Sequence, residues 1–234
     1  MKNSIILCLI ALIMGIVCYV SIGNILFSII IFLLALIDGL FLIDKSLKKF
    51  ALRILKYQEC YQFVSNMSIS LSINPSLISA YDNTIKMVGG PLEEENSSLS
   101  DMDPMEKLDY LKQYFSLKDF DVFCDLLKSW NENGGDILKT TDYLLCQMRE
   151  REEYISYSQN AQKSKTIEFS ILWIVCYAIL IALKFALTNY YAKISSQILY
   201  QISIFAFFIF SILSINIFIS KICHLDIEGI EYEK

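Results

Sequence analysis

Trp130-Asn131-Glu132-Asn133-Gly134-Gly135-Asp136-Ile137-Leu138 is the stretch whose reading decides the fold. Before it, Phe120, Phe123, Cys124, Leu127 and Trp130 recur at the spacing of one helical face. After it, Ile137, Thr141, Leu144, Leu145 and Met148 do the same. Two amphipathic helices therefore meet at Gly134-Gly135. A glycine suits that junction, because the residue that closes a helix commonly takes a positive φ, where a Cβ is costly. Asp136 suits the first turn of the second helix, whose free N–H groups favour a carboxylate. No stop signal follows before the apolar run at Ile167, so the second helix is predicted to continue into it. The stretch reads as a helical hairpin joined directly to an apolar span.

Working outward, the 234-residue chain is 55% hydrophobic with a mean hydropathy of +0.46, and the excess is segregated. The charge, −5 net, lies almost wholly between Asp44 and Lys165 and in the last residues. Outside that section stand four apolar runs: Ser4 to Val20, Ile25 to Ile43, Ile167 to Leu187 and Ile198 to Ile219. Each is close to the ~20 residues needed to cross a bilayer. The first is not read as a signal peptide, since it has no small-residue cleavage pattern and a second run follows at once. The seven cysteines are scattered, there is no CxxC and there is a single histidine, His224. They read as apolar fillers rather than a disulfide framework or zinc site. Basic residues dominate no helical face, which argues against nucleic acid.

Lysine and arginine placement sets the expected topology. Lys45, Lys48, Lys49, Arg53 and Lys56 crowd the end of the second run, Lys163 and Lys165 precede the third, and Lys221 follows the fourth. The positive-inside rule then puts both termini and residues 44–166 in the cytoplasm. The expected organisation is a transmembrane hairpin (1–43), a cytoplasmic helical domain (44–166), a second hairpin (167–220) and a cytoplasmic tail (221–234). The cluster from Lys45 to Lys56 is first a topology signal, with contact to acidic lipid or an acidic partner as a second role. Asp38, within the second run, either faces other helices or reaches the interface; a proton relay is the sharper alternative. Lys184 is expected to snorkel outward. Thr188 to Lys193 reads as an interfacial loop.

The polar section reads as about six helices and no strand, giving an all-α protein. Asn74 is expected to cap the helix after Pro75, and Ser116 the helix that ends at Gly134. Gly89-Gly90 stops a helix, and Pro91 starts another with Glu93, Glu94 and Glu95 in its first turn. Asp101-Met102-Asp103-Pro104 repeats the cap-then-proline pattern. Arg149-Glu150-Arg151-Glu152-Glu153 is expected to be a solvated, i,i+4-paired face. The carboxylates are placed on exposed positions or in first turns, with no buried acid–base pair. There is no P-loop, no GxSxG, no HExxH and no dinucleotide fingerprint. No catalytic, cofactor-binding or metal-binding residue is expected, and the chain is not read as an enzyme.

The order of these features carries a resemblance. A helix leads to Gly89-Gly90-Pro91-Leu92-Glu93-Glu94-Glu95, then to Asn133-Gly134-Gly135-Asp136-Ile137-Leu138, then to Arg149-Glu150-Arg151, then to a span. This resembles the type II secretion system F domain, in the single-domain form of TadB- and TadC-like proteins of Tad (Flp) pilus systems, over roughly Tyr61 to Leu187. Two features depart from the pattern: Ser72-Ile73-Asn74-Pro75 replaces the family's first turn glycine, and Asn96 to Asp109 lacks its usual glycine. The resemblance implies a platform in the cytoplasmic membrane that carries no catalytic residues. Its implied partners are a secretion ATPase, a second F-type subunit or another copy of itself, and pilin. Gly89, Gly90, Pro91, Gly134, Gly135 and Asp136 are its motif positions. A small transporter or channel component, or another membrane scaffold, is the alternative; its polar candidates Asp38, Lys184 and Asn216 are expected at unmatched depths.

Overall fold

A computed structural model describes residues 2–97, 102–195 and 197–223. It is 92% helix, with no strand among the described residues. The helices are α1 (Lys2–Ile22), α2 (Ile25–Ile37), α3 (Asp44–Ile73), α4 (Leu77–Val88), α5 (Gly90–Ser97), α6 (Pro104–Phe115), α7 (Lys118–Asn133), α8 (Ile137–Ala186), α9 (Thr188–Ile194) and α10 (Ile198–Cys223). Asp38–Ile43 forms a π-helical turn between α2 and α3. Among the described residues the chain divides into two compact units, one built from residues up to Phe50 and from Gln159 to the end of α10, the other from Ala51–Ser158. Asp101, His224 and the tail beyond it lie outside the described residues.

The first unit holds the apolar runs. Four helical stretches are long and apolar enough to cross a membrane: Ile5–Ile22, Ile25–Ile73, Ile137–Ala186 and Ile198–Cys223. Their apolar parts all belong to this unit. Large branched side chains such as Ile16, Ile30, Ile174 and Ile202 are exposed on them, the reverse of a soluble surface and suited to lipid. Gly23, with φ +74°, ends α1, and the Asn24 side chain caps α2 by accepting from Leu26 N at 3.0 Å. The two helices pack closely because Gly15 lacks a side chain: a Cβ there would sit 3.1 Å from Phe32 Cβ. Ser28 Oγ donates to the Gly15 carbonyl at 2.6 Å. Ile31, Cys18 and Phe208 lie at the centre of this unit, fully buried. Phe169 stacks on Phe218 with ring centroids 4.1 Å apart, joining α8 to α10.

The second unit takes residues from α3 to α8. Its core is an aromatic cluster in which Phe63 meets Tyr81, Phe115 and Phe120, and Phe120 meets Phe123. These rings come from α3, α4, α6 and α7, so one cluster ties four helices together. Each buried aromatic contributes a large apolar area and an orientation preference. Ile137, Leu144 and Met148 close the core from α8, on the face that the sequence spacing picks out.

Several local expectations are corrected. Ser76, not Asn74, caps α4, its side chain accepting from Ser79 N at 3.5 Å; the Asn74 carbonyl instead closes a turn by accepting from Ser76 N. Ser116 ends α6 in the left-handed region (φ 52°, ψ 45°), and α7 starts after Leu117 without a side-chain cap. The Ser116 Oγ donates back to the Gln113 carbonyl at 2.7 Å, which offsets part of the cost of that conformation. Thr188 to Lys193 lies within α9 rather than in a loop. Asp103 does cap α6, with Pro104 in its first turn.

Candidate functional site

The glycine motifs sit where the backbone demands them. Gly89 has φ +62° and ψ −158°, and Gly134 φ +69° and ψ −165°. This is not the left-handed helical region but the extended positive-φ region, which is essentially restricted to glycine. Gly90 and Gly135 also have positive φ, at +62° and +112°. Gly90 and Pro91 open α5. At the second turn, Trp130 Nε1 donates to the Gly135 carbonyl at 3.0 Å, and Asp136 Oδ1 accepts from Leu138 N at 3.1 Å. Trp130 and Asp136 thus pin both sides of the junction between α7 and α8.

The basic residues of α3 have different fates. Lys45, Lys49 and Arg53 are exposed. Lys48 pairs with Asp44 one helical turn back at 2.5 Å. Lys56 is spent inside its own unit: Nζ donates to the Tyr114 carbonyl at 2.5 Å and lies 4.4 Å above the Tyr114 ring. The structure therefore leaves Lys45, Lys49 and Arg53 as the basic side chains of α3 open to a partner or to lipid headgroups.

Three buried carboxylates, Asp44, Glu59 and Asp119, overturn the expectation that all carboxylates are exposed or in solvated first turns. Glu59 is 5% exposed and Asp119 7%. Arg151 Nη1 donates to Asp119 Oδ2 at 2.6 Å, so Arg151 turns inward from a charged run whose spacing suggests solvation throughout. Asp119 lies in the first turn of α7, where the helix also favours its charge. Glu59 accepts from Tyr114 Oη at 3.0 Å. Burial pushes the Glu59 carboxyl up, against the opposing pull of the Tyr114 hydrogen bond and the Lys56 charge. Burial, helped by the nearby Asp119, also holds the Cys60 thiol well above its ordinary range, and burial pushes Cys124 up to about 12. Such thiols are poor nucleophiles. Tyr57 Oη donates to the Met148 carbonyl at 3.0 Å, which ties α3 to α8. This network holds the helices together.

In the membrane-type unit, several polar residues are also partnered. Asn216 Nδ2 donates to Asp38 Oδ1 at 2.7 Å. The expectation that these two lie at unmatched depths is therefore corrected: the π-helical turn and α10 bring them together. Lys184 Nζ donates to the Val20 carbonyl at 2.5 Å, among the last carbonyls of α1. Tyr191 Oη donates to the Ser21 carbonyl, and Tyr200 Oη donates to Tyr191 Oη at 2.6 Å. Three side chains from α8, α9 and α10 thus gather on the end of α1. Sequence hides the first of these pairings because Asp38 and Asn216 are 178 residues apart.

Over the described residues, fold and site together define an all-helical protein with four helices suited to crossing a membrane and a helical unit closed by buried polar ties. Comparison with protein-family models, with curated proteins and with solved structures finds no match.

Proposed function

We propose that this chain is a membrane platform of a Tad (Flp)-type pilus or type II secretion-like machine, a member of the F-domain group, and that it couples a cytoplasmic secretion ATPase to pilin assembly. The observation that carries the reading is α8: one helix, Ile137–Ala186, opens at the Gly134-Gly135 turn and runs into an apolar span. A helix of this length is about 75 Å long. Force applied beside its first turns would reach the span through continuous backbone hydrogen bonds, with no glycine or proline between them. The buried ties from Asp119 to Arg151 and from Tyr57 to Met148 support the reading, since they fasten α7 and α3 to the first part of that helix. In this reading both termini and the unit Ala51–Ser158 are cytoplasmic, and Lys45, Lys49 and Arg53 are available to the ATPase, to a second platform subunit or to lipid.

Co-purification tests it. The full chain, extracted from membranes in mild detergent, is expected to retain a P-loop secretion ATPase encoded beside its gene. Retention should fall when Arg53 is changed to Glu. Purification without any such ATPase, under conditions that keep the chain folded, would contradict the proposal.

A further inference from the structure

The four-span unit contains a cavity of 490 Å³ whose wall is almost entirely apolar, with Ala11, Met14, Trp173, Tyr177 and Ile212 among its lining residues. That volume is within the range of ligand sites, about 300–1,000 Å³. Along α8 the lining runs from Thr166 to Tyr177, or about 16 Å of helix. One leaflet of hydrocarbon is about 15 Å thick. The cavity therefore has the reach of a single acyl chain inserted from one face of the membrane.

A second, more open hollow adjoins the cavity at its Thr166 end. Thr166 and Ile222 line both spaces. The hollow adds Phe50, Gln159, Gln162, Lys163 and Ile167; its wall stays mostly apolar, and Lys163 brings a cation to it where α8 leaves the apolar run. Gln162 Nε2 is committed to the Ile222 carbonyl at 3.2 Å. Lys163 is exposed and makes no ion pair among the described residues. The carboxyl in the cavity wall, Asp38, is engaged by Asn216. Trp173 is 9% exposed, and its Nε1 is buried with no acceptor among the described residues.

We propose that this path is a binding site for an anionic phospholipid: its phosphate at Lys163, one acyl chain in the cavity against Trp173. The proposal rests on the four-span reading and is independent of the platform reading. An apolar bore that opens beside a cation matches the two ends of such a lipid, whereas a zwitterionic lipid brings its own cation to the same place. One lysine near a membrane surface favours an anionic lipid by about fivefold.

Trp173 serves as the reporter. In a Trp130→Phe variant it is the sole tryptophan. The full chain is reconstituted in unbrominated phosphatidylcholine containing a low, equal fraction of phosphatidylglycerol or phosphatidylcholine brominated on its acyl chains. Brominated phosphatidylglycerol is expected to reach half-quenching at about a fivefold lower fraction than brominated phosphatidylcholine. Lys163→Gln should abolish that preference and Lys163→Arg should keep it. Ser170→Phe, which narrows the cavity, should reduce quenching by phosphatidylglycerol to the phosphatidylcholine level with helix content unchanged. Equal quenching by the two lipids in the parent, or a preference that survives Lys163→Gln, would overturn the proposal.

Discussion

Gly134, at φ +69° and ψ −165°, occupies backbone space that a Cβ makes costly. No neighbouring atom lies within 4 Å of where that Cβ would be, so the cost is conformational rather than steric. Gly134→Ala is expected to destabilise the second unit by about 1–3 kcal/mol, measured by denaturant unfolding followed through Trp130 fluorescence. Glu59 gives a pH signature. Its carboxyl holds a proton more tightly when folded than when unfolded, because burial disfavours the charged form. The folded state therefore binds more protons, and the Glu59 contribution to stability falls as pH rises from its ordinary carboxylate range through the raised folded value. Glu59→Gln should lose that slope: its stability relative to the parent should rise across this window and level off above it. A difference that stays flat with pH would contradict the assignment. Residues differ in how visible they are to sequence. The glycine pairs are legible because their φ requirement is local. Glu59 with Tyr114, and Asp119 with Arg151, are not, because the partners lie 55 and 32 residues apart and a charged residue in a polar run looks solvated until the fold is known.

Among the helices, α8 bears most of the functional argument. Residues to Ser158 belong to one compact unit and residues from Gln159 to the other. Tyr157 is 74% exposed, so a substitution there disturbs the helix without opening a core. Tyr157→Pro removes a backbone donor and clashes with the preceding turn, at a cost of about 3 kcal/mol or more. The account expects wild-type membrane insertion with loss of pilus or secretion output, measured by membrane fractionation and by counting fibres. Normal assembly in that variant would rule out a rigid lever. The helices themselves are largely readable from periodicity and apolar length. Their ends are less so: Ser76 displaces Asn74 as a cap because Asn74 is used in the turn, and Ser116 closes one helix rather than opening the next. The π-helical turn Asp38–Ile43 leaves no sequence mark. Its Gly39 faces Leu7 of α1, where a Cβ would sit in ordinary contact, 3.5 Å from Leu7 Cβ.

For the whole molecule, composition already separates four lipid-suited helices from a polar helical section, since apolar side chains covering a helix on all sides are stable only in hydrocarbon or a deep core. What composition cannot supply is how the apolar helices pair their few polar groups: Asp38 with Asn216, Lys184 with the end of α1. Those pairs reduce the cost of polar groups in lipid. The account's central claim is that the unit Ala51–Ser158 faces the cytoplasm. Cys146, exposed on α8, reports on it directly, while Cys60 and Cys124 are buried with raised thiols and should stay silent. The decisive measurement is labelling with a membrane-impermeant maleimide, applied to intact spheroplasts and to inverted vesicles, with the modified cysteine identified by peptide mass spectrometry. The account predicts that Cys146 reacts in inverted vesicles and not in spheroplasts; reaction of Cys146 in intact spheroplasts would contradict it.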